Sequence, residues 1–194
     1  MSNRELFAPT KRFATGMADP PWAERGGGKV KRGADRHYPL MTTDSICALP
    51  VHDLFERDAH LYLWVTNNFL PDGLRVMTAW GFRFVTCITW AKVKNGKPQI
   101  GLGQYFRGAT EQLLFGVRGS VGYRTSERGR HQGCTLVQAE RTEHSVKPEV
   151  FGRHIEHVSP GPYVELFARR PAPGWDVWGN EVASSLTLTP REAR

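Results

Sequence analysis

The sequence predicts an α/β domain built on an open, mostly parallel sheet. Short β-branched and apolar runs alternate along the chain with segments of helical spacing. Such alternation is typical of parallel sheets, because a helical crossover returns the chain to the edge where the next strand begins. The 194 residues, 40% of them hydrophobic and 23% charged, suit one domain over residues 1–194 that buries its own core.

The first half of the chain contains three predicted strands and two predicted helices. The strands are residues 13–18, residues 60–66 (HLYLWVT) and residues 83–93 (RFVTCITWAKV). Thr42 or Thr43 is suited to cap a short helix that runs to Cys47. Residues 70–80 have helical spacing. The last two strands and the helix between them therefore indicate a βαβ unit.

The second half begins with a glycine-rich segment, residues 94–110, which we expect to be a loop. Strands are predicted for residues 111–117, 134–139, 163–168 (YVELFA) and 175–178. Residues 148–158 start with a proline, carry their apolar side chains on one helical face and stop before a Ser-Pro-Gly turn. This segment is the last predicted helix.

The tetrapeptide Asp19-Pro20-Pro21-Trp22 directly follows the first predicted strand. The two prolines keep the backbone extended and bring no amide hydrogens, so we expect the Asp19 carboxylate and the Pro20 carbonyl to have few local donors. Two adjacent acceptors and the face of Trp22 would suit the amino group and the ring of a nucleobase. The structural alternative is a Pro-Pro turn followed by a core tryptophan. Ligands of such sheets bind at the carboxyl ends of strands, where this tetrapeptide lies.

The positive charge of the chain favours a polyanionic partner. The net charge is +7, and the basic residues crowd glycine-rich stretches at about residues 23–37, 94–110 and 118–133. The candidate contacts to nucleic acid are Lys29, Arg32, Arg36, Arg107 and Arg141. The alternative is that these charges only form a solvated surface.

Several classes of site are not indicated. The chain has neither GxGxxG nor GxxxxGK[ST], so the common dinucleotide and P-loop fingerprints are absent. Its three cysteines are widely spaced, and no cluster has zinc spacing, so we expect no metal and no disulfide framework. No apolar run reaches the roughly 20 residues of a membrane span, and residues 1–10 lack the apolar centre of a signal peptide. We therefore expect no membrane partner and a cytoplasmic location.

Segments along nearly the whole chain resemble, in order, the MT-A-seventy family of adenine N6-methyltransferases. They are ADPPW at 18–22, YPLMTTD at 38–44, LYLWVT at 61–66, ITWAKV at 88–93, EQLLFGVRG at 111–119, AERTEHSVKPE at 139–149, SPGPYVELFARRP at 159–171 and WGN ending at 180. The resemblance covers about residues 13–182. It implies a Rossmann-like fold that binds S-adenosylmethionine, with helices on both faces of the sheet. The order of motifs is permuted, since the catalytic tetrapeptide precedes the cofactor strand.

The resemblance also implies roles for residues on the substrate side. Asp19 and the Pro20 carbonyl would hold the target amine, while Pro21 and Trp22 would line the adenine pocket. Tyr38 would belong to a loop that closes over the site.

On the cofactor side, the resemblance implies that Asp19 lies near the amino group of S-adenosylmethionine. Lys147 would approach the carboxylate of the cofactor or the target, Arg169 its ribose and Asn180 its adenine ring. Glu165 also matches the family, but its partner cannot be read from the sequence. A departure from the pattern is Ala172, which stands where relatives carry an asparagine and removes one expected hydrogen bond to the ribose.

The function that the resemblance implies is methyl transfer to the N6 amino group of adenine in nucleic acid, with DNA favoured over RNA. The alternatives are an RNA adenosine methyltransferase and a non-catalytic nucleic-acid-binding partner of such an enzyme. Pairing with a second copy or a related subunit is compatible with the family.

Overall fold

The computed structural model describes residues 11–23, 40–101, 103, 105–120, 124–127, 129–141 and 146–188. Within these residues the strands are β1 (Phe13–Ala18), β2 (Phe55–Val65), β3 (Arg83–Lys94), β4 (Lys97–Pro98), β5 (Thr110–Arg118), β6 (Thr125–Ser126), β7 (Gly129–Arg130), β8 (Leu136–Glu140), β9 (Tyr163–Leu166) and β10 (Trp175–Trp178). The α-helices are α1 (Thr43–Cys47), α2 (Leu70–Ala79) and α3 (Val150–Val158), and short 3₁₀ turns cover Val51–Leu54 and Asn67–Phe69.

The main sheet has eight strands in the order β10-β9-β1-β2-β5-β3-β4, with β8 also paired to β3. The pairs β10/β9, β9/β1, β1/β2 and β3/β8 are parallel, whereas β2/β5, β3/β5 and β3/β4 are antiparallel. The sheet is therefore mixed with a parallel majority, and the predicted α/β class is confirmed.

The predicted βαβ unit needs a correction, because β2 and β3 are not neighbours. Strand β5 lies between them and is antiparallel to both. Its Leu113 and Leu114 are fully buried and point into different cores, so β5 fits a central position. Strand pairing depends on such long-range burial, which adjacency along the chain does not reveal.

Helices cover both faces of the sheet, as the resemblance implied. Along β2, Leu61 and Leu63 belong to one buried cluster and Tyr62 and Trp64 to the other. This alternation follows from the two-residue period of a strand. The first cluster contains Ile46 of α1 with Met77 of α2 and Trp80, which follows it, and the second contains Phe151 and Ile155 of α3.

Several element boundaries differ from the prediction. Strand β2 begins at Phe55, and the segment predicted as a loop after β3 contains the short strand β4. Strand β9 ends at Leu166 because Phe167 has a φ of 63°, in the left-handed region that interrupts a strand. The predicted cap is confirmed, since the Thr42 hydroxyl accepts a hydrogen bond from the Ser45 amide.

The register brings the chain segments of interest to one edge of the sheet. Ala18, the last residue of β1, is aligned with Leu63 of β2 and with Leu166 of β9. Leu166 is aligned in turn with Trp178, at the end of β10. The residues that follow β1, β9 and β10 therefore meet at the carboxyl ends of these parallel strands, where α/β sheets bind ligands. Among the described residues, no helix has both the length and the apolar character to cross a membrane.

Candidate active site

The backbone of the tetrapeptide is held by hydrogen bonds on both sides of its prolines. The Pro20 carbonyl accepts from the Trp22 amide at 2.9 Å, and the Pro21 carbonyl accepts from the Met41 amide at 2.8 Å. The Ala23 amide donates back to the Met41 carbonyl at 3.1 Å. The extended segment is therefore fixed, as expected, and the Pro20 carbonyl accepts one local hydrogen bond, from the Trp22 amide. One lone pair of this carbonyl is already used, which leaves the second for a ligand.

Trp22 does not offer an open face. Its side chain is 8% exposed, its Nε1 donates to the Trp64 carbonyl at 3.1 Å, and its ring stacks on Phe69 with centroids 5.5 Å apart. The ring is part of the core between the sheet and the first two helices. The alternative, a core tryptophan after a Pro-Pro turn, describes this residue. The expected stacking of a base on Trp22 is therefore not available in this structure.

The Asp19 carboxylate lies in a chain of alternating charges. Lys147 Nζ donates to Asp19 Oδ2 at 2.7 Å and lies 3.5 Å from Glu111 Oε2. Glu111 Oε1 accepts from Lys92 Nζ at 2.5 Å. The Asp19 and Lys147 side chains are 28% and 18% exposed, so their attraction is only partly screened by water. We call these four side chains the charge network.

The ionisation of the two acids reflects both burial and the lysines. Burial raises the pKa of Asp19, and the charge and hydrogen bond of Lys147 offset only part of this effect. Burial also acts to raise the pKa of Glu111, but Lys147 and Lys92 together outweigh it, so the pKa of Glu111 lies below its ordinary value. Asp19 is therefore more basic than an ordinary aspartate, and Glu111 is less basic than an ordinary glutamate.

Glu165 on β9 is partly buried near Asp19. Burial and, secondly, the charge of Asp19 raise its pKa to about 7, while Arg170 and Lys147 act weakly in the opposite direction. The sequence left open how this carboxyl group is accommodated inside an apolar strand. With its pKa near neutrality, this carboxyl group takes up a proton far more readily than an ordinary glutamate, which lowers the cost of burying its charge.

A small cleft, partly open to solvent, adjoins Asp19. Besides Asp19 and Pro21, it is lined by Trp178 at the end of β10 and by residues that follow β9 and β10: Phe167, Ala168, Arg169, Gly179, Asn180 and Glu181. The cleft lies at the carboxyl ends of parallel strands, where α/β sheets bind ligands.

Two contacts shape this cleft. The Ala168 amide donates to the Trp178 carbonyl at 2.9 Å, and a Cβ at Gly179 would overlap the Ala168 carbonyl oxygen. Only glycine allows this close approach of the two loops. At the rim, Arg169 Nε donates to Glu181 Oε1 at 3.0 Å. The cleft thus presents the Asn180 amide, a guanidinium and a carboxylate, which suit the ring and hydroxyl groups of a nucleoside.

The structure brings most of the predicted cofactor residues together but changes the position of Lys147. Asp19, Arg169 and Asn180 all line the cleft. Glu165 and Lys147 are not among the lining residues; Lys147 contacts Asp19 and Glu111 instead. The residues present fit S-adenosylmethionine, because the cleft next to Asp19 contains an amide and a guanidinium of the kind that can hold an adenine ring and a ribose.

Three further residues at the site, Glu111, Lys92 and Glu181, were not predicted from the sequence. Glu111 and Lys92 are polar residues near the ends of predicted strands, but their relevance depends on the position of β5 at the centre of the sheet. With Val65 aligned to Gln112 and Gln112 to Thr89, these ends lie at the same edge as Asp19. Glu181 directly follows Asn180 in the sequence. Only its ion pair with Arg169, which the sequence does not show, indicates that it belongs to the cleft.

The remaining predicted site residues are those expected to contact the nucleic-acid substrate. Tyr38, Lys29, Arg32 and Arg36 lie outside the described residues. Arg107 is exposed in the segment before β5, and Arg141 is partly buried after β8. Within the described ranges, no group of three or more His, Cys, Asp and Glu side chains is placed to hold a metal ion, and the three cysteines are free thiols.

The chain is similar to known proteins over most of its own length. The profile of the MT-A70 family matches residues 13–181. The human N(6)-adenosine-methyltransferase catalytic subunit METTL3 is 30% identical over 191 residues, which cover 92% of this chain and 30% of METTL3. The N6-methyladenosine RNA methyltransferase MTA1 of Cryphonectria parasitica is 31% identical over 192 residues, or 93% of this chain and 55% of MTA1.

A bacterial relative is similar over most of its own length. The type II methyltransferase M.MunI of a Mycoplasma species is 26% identical over 205 residues, which cover 95% of this chain and 84% of M.MunI. The chain thus spans less than a third of METTL3 but most of M.MunI. The family match includes the tetrapeptide, the charge network and the cleft. This chain belongs to the MT-A70 family.

Proposed function

We propose that this protein transfers a methyl group from S-adenosylmethionine to the N6 amino group of adenine in nucleic acid, with DNA as the preferred substrate. The observation that carries the proposal is the position of Asp19, a partly buried carboxylate that lines the cleft and also belongs to the charge network. Membership in the MT-A70 family supports the same reaction.

The cleft residues provide the binding groups. The Asn180 side chain offers a donor and an acceptor to an adenine ring, and Arg169 with Glu181 offers the same to ribose hydroxyls. The Glu181 carboxylate can accept a hydrogen bond from a ribose hydroxyl, which the side chain of Ala172 cannot do. S-adenosylmethionine, when bound, supplies an electrophilic sulfonium methyl group.

Asp19 and Pro20 prepare the target amine. Because Lys147 bonds to Asp19 Oδ2, we assign Oδ1 and the second lone pair of the Pro20 carbonyl to the two amine hydrogens. Holding both hydrogens withdraws the nitrogen lone pair from conjugation with the ring and makes it available for in-line attack. Positive charge then grows on that nitrogen, so a carboxylate beside it stabilises the transition state more than the ground state.

The raised pKa of Asp19 suits this role. A more basic carboxylate is a stronger hydrogen-bond acceptor and a better recipient for the proton that the methylated nitrogen releases. The positive charge of Lys147 favours the ionised form of Asp19 and so opposes the effect of burial. Two opposing effects therefore act on Asp19: burial raises its affinity for a proton, and Lys147 favours its ionised form.

The choice between DNA and RNA rests on the relatives. The match to 84% of M.MunI, compared with 30% of METTL3, favours a substrate like that of the bacterial enzyme, which we propose to be DNA. RNA is the second candidate because MTA1, at 31% identity, is named as an RNA methyltransferase. We also propose that the protein works as a pair of chains. Light scattering tests this by measuring the molar mass in solution, and the mass of a single chain would contradict a homodimer.

The test is transfer of labelled methyl to single-stranded and duplex DNA and RNA of matched sequence, followed by digestion to nucleosides. We expect N6-methyladenine as the product, formed faster in DNA. Asp19→Ala should lower the rate at least about 100-fold while the protein stays folded. Asp44→Asn, at an exposed carboxylate on α1, is the matched control and should retain activity.

The outcomes separate the alternatives. Faster labelling of RNA would select the second candidate. Binding of nucleic acid without any transfer would identify a non-catalytic partner subunit, and a product methylated at another position would refute the assignment of the target amine.

A further inference from the structure

Two neighbouring aromatic residues stand almost fully in solvent in the segment between β4 and β5. Tyr105 is 93% exposed and Phe106 is 92% exposed. We call this pair the aromatic tip. Large aromatic side chains are usually covered, because each buries roughly 150–250 Å² when it packs. Their joint exposure is typical of a contact surface.

The segment that carries the aromatic tip is held by specific backbone contacts. The Gly101 amide donates to the Gly108 carbonyl at 2.7 Å, and Arg107 Nε donates to the Gly101 carbonyl at 2.8 Å. A Cβ at Gly103 would overlap the Phe106 carbonyl oxygen, so a larger residue there would displace the tip. The chain therefore positions these two rings outward.

The aromatic tip is close to the candidate active site along the chain. Its segment connects β3, which carries Lys92, with β5, which carries Glu111, and both side chains belong to the charge network. Phe106 precedes Glu111 by five positions, a span of at most ~18 Å. The tip is thus within reach of groups that flank a ligand bound at Asp19.

The charge around the tip indicates the chemistry of its partner. Residues 94–110 include Lys94, Lys97 and Arg107 but no aspartate or glutamate. A partner that combines negative charge with flat apolar faces fits this composition, and unpaired nucleotides have both features.

A second copy of the chain fits the tip less well. In a two-fold arrangement the same basic segment would face itself, which brings like charges together. Two rings also supply only part of the roughly 800 Å² per partner that a stable protein interface buries.

We propose that Tyr105 and Phe106 stack on unpaired bases that flank the target adenine, and so hold single-stranded or locally opened nucleic acid over the active site. This inference rests on the proposed nucleic-acid substrate and adds the contact that Trp22, buried in the core, does not provide. Stacking of this kind tolerates any base, because every base has an aromatic face.

The test measures binding of a fluorescein-labelled single-stranded DNA oligonucleotide by anisotropy. Tyr105→Ala and Phe106→Ala should each weaken binding about 5- to 140-fold. Tyr105→Phe and Phe106→Tyr should retain the affinity because the rings remain. Phe84→Ala is the matched control, since Phe84 is 41% exposed at the opposite end of β3.

Salt dependence separates stacking from charge. The two alanine variants should keep the wild-type slope of log Kd against log salt concentration. Arg107→Ala should reduce the magnitude of this slope by about one, as expected for the loss of one phosphate contact. Affinity for S-adenosylmethionine, measured by calorimetry, should be unchanged in all of these variants.

Unchanged oligonucleotide binding in both alanine variants would overturn the inference, as would a wild-type protein that binds no oligonucleotide. Conversion of a wild-type dimer to a monomer without loss of oligonucleotide affinity would instead assign the tip to a protein interface and also overturn it. Failure of the proposed function looks different: the wild type would bind DNA through the aromatic tip but transfer no methyl group.

Discussion

Replacing Glu165 with glutamine should stabilise the protein at neutral and alkaline pH. The folded state raises the pKa of Glu165 from its ordinary value of 4.5 to about 7. The folded protein therefore binds more protons at this position than the unfolded chain, and stability falls as pH rises between these values. Below pH 4.5 the carboxyl group is protonated in both states and the penalty disappears.

The size of the stabilisation follows from the shift in the pKa of Glu165. Each pKa unit corresponds to about 1.4 kcal/mol, so the shift of Glu165 to about 7 destabilises the wild type by about 3 kcal/mol above pH 8. Glutamine cannot ionise. The gain in free energy of unfolding for Glu165→Gln should therefore be about 1 kcal/mol at pH 5, about 2 at pH 6 and about 3 at pH 7.

Urea unfolding of both proteins at these pH values measures the gain directly. Glu127→Gln is the matched control, because Glu127 is exposed and water solvates its charge in both states. A gain that does not change with pH, or a variant less stable than the wild type at pH 8, would refute the assignment of a protonated, partly buried Glu165.

Three further substitutions test separate parts of the site. Asn180→Ala should weaken S-adenosylmethionine binding about 5- to 10-fold in calorimetry, and unchanged affinity would make Asn180 a structural residue. Lys147→Met should move the acidic limb of the pH dependence of kcat/KM to higher pH, because the main influence that opposes the burial of Asp19 would be lost; a limb that stays in place would exclude Lys147 from this role. Trp22→Ala should lower the free energy of unfolding by about 3–5 kcal/mol in urea titrations, whereas Trp22→Phe should cost less. A negligible loss for Trp22→Ala would contradict its place in the core.

The tetrapeptide shows how far local sequence carries a prediction. The prolines restrict the backbone wherever the chain folds, so the extended conformation and the position after β1 were predictable from four residues. The fate of Trp22 was not. An aromatic ring beside a site packs inward or outward according to what else covers it, and here Phe69 and the Trp64 carbonyl take the ring into the core.

The charge network could not be predicted from the local sequence. Asp19 and Lys147 are 128 residues apart, and the resemblance to a family named both without showing that they touch. Glu111 became relevant only when β5 was found between β2 and β3. Such contacts depend on strand order and register, which local propensity does not specify.

The sequence alone determined the α/β class, the family, the conformation of the tetrapeptide and the segments that carry the candidate cofactor residues, because these depend on short-range sterics, hydrophobic periodicity and ordered motifs. Only the tertiary structure decided which carboxylates share the lysines, how Glu165 is accommodated, that Trp22 is buried and that Tyr105 and Phe106 are not. Burial and charge pairing arise from groups far apart in the chain. The physical environment of a side chain is therefore settled by the fold and not by its neighbours in sequence.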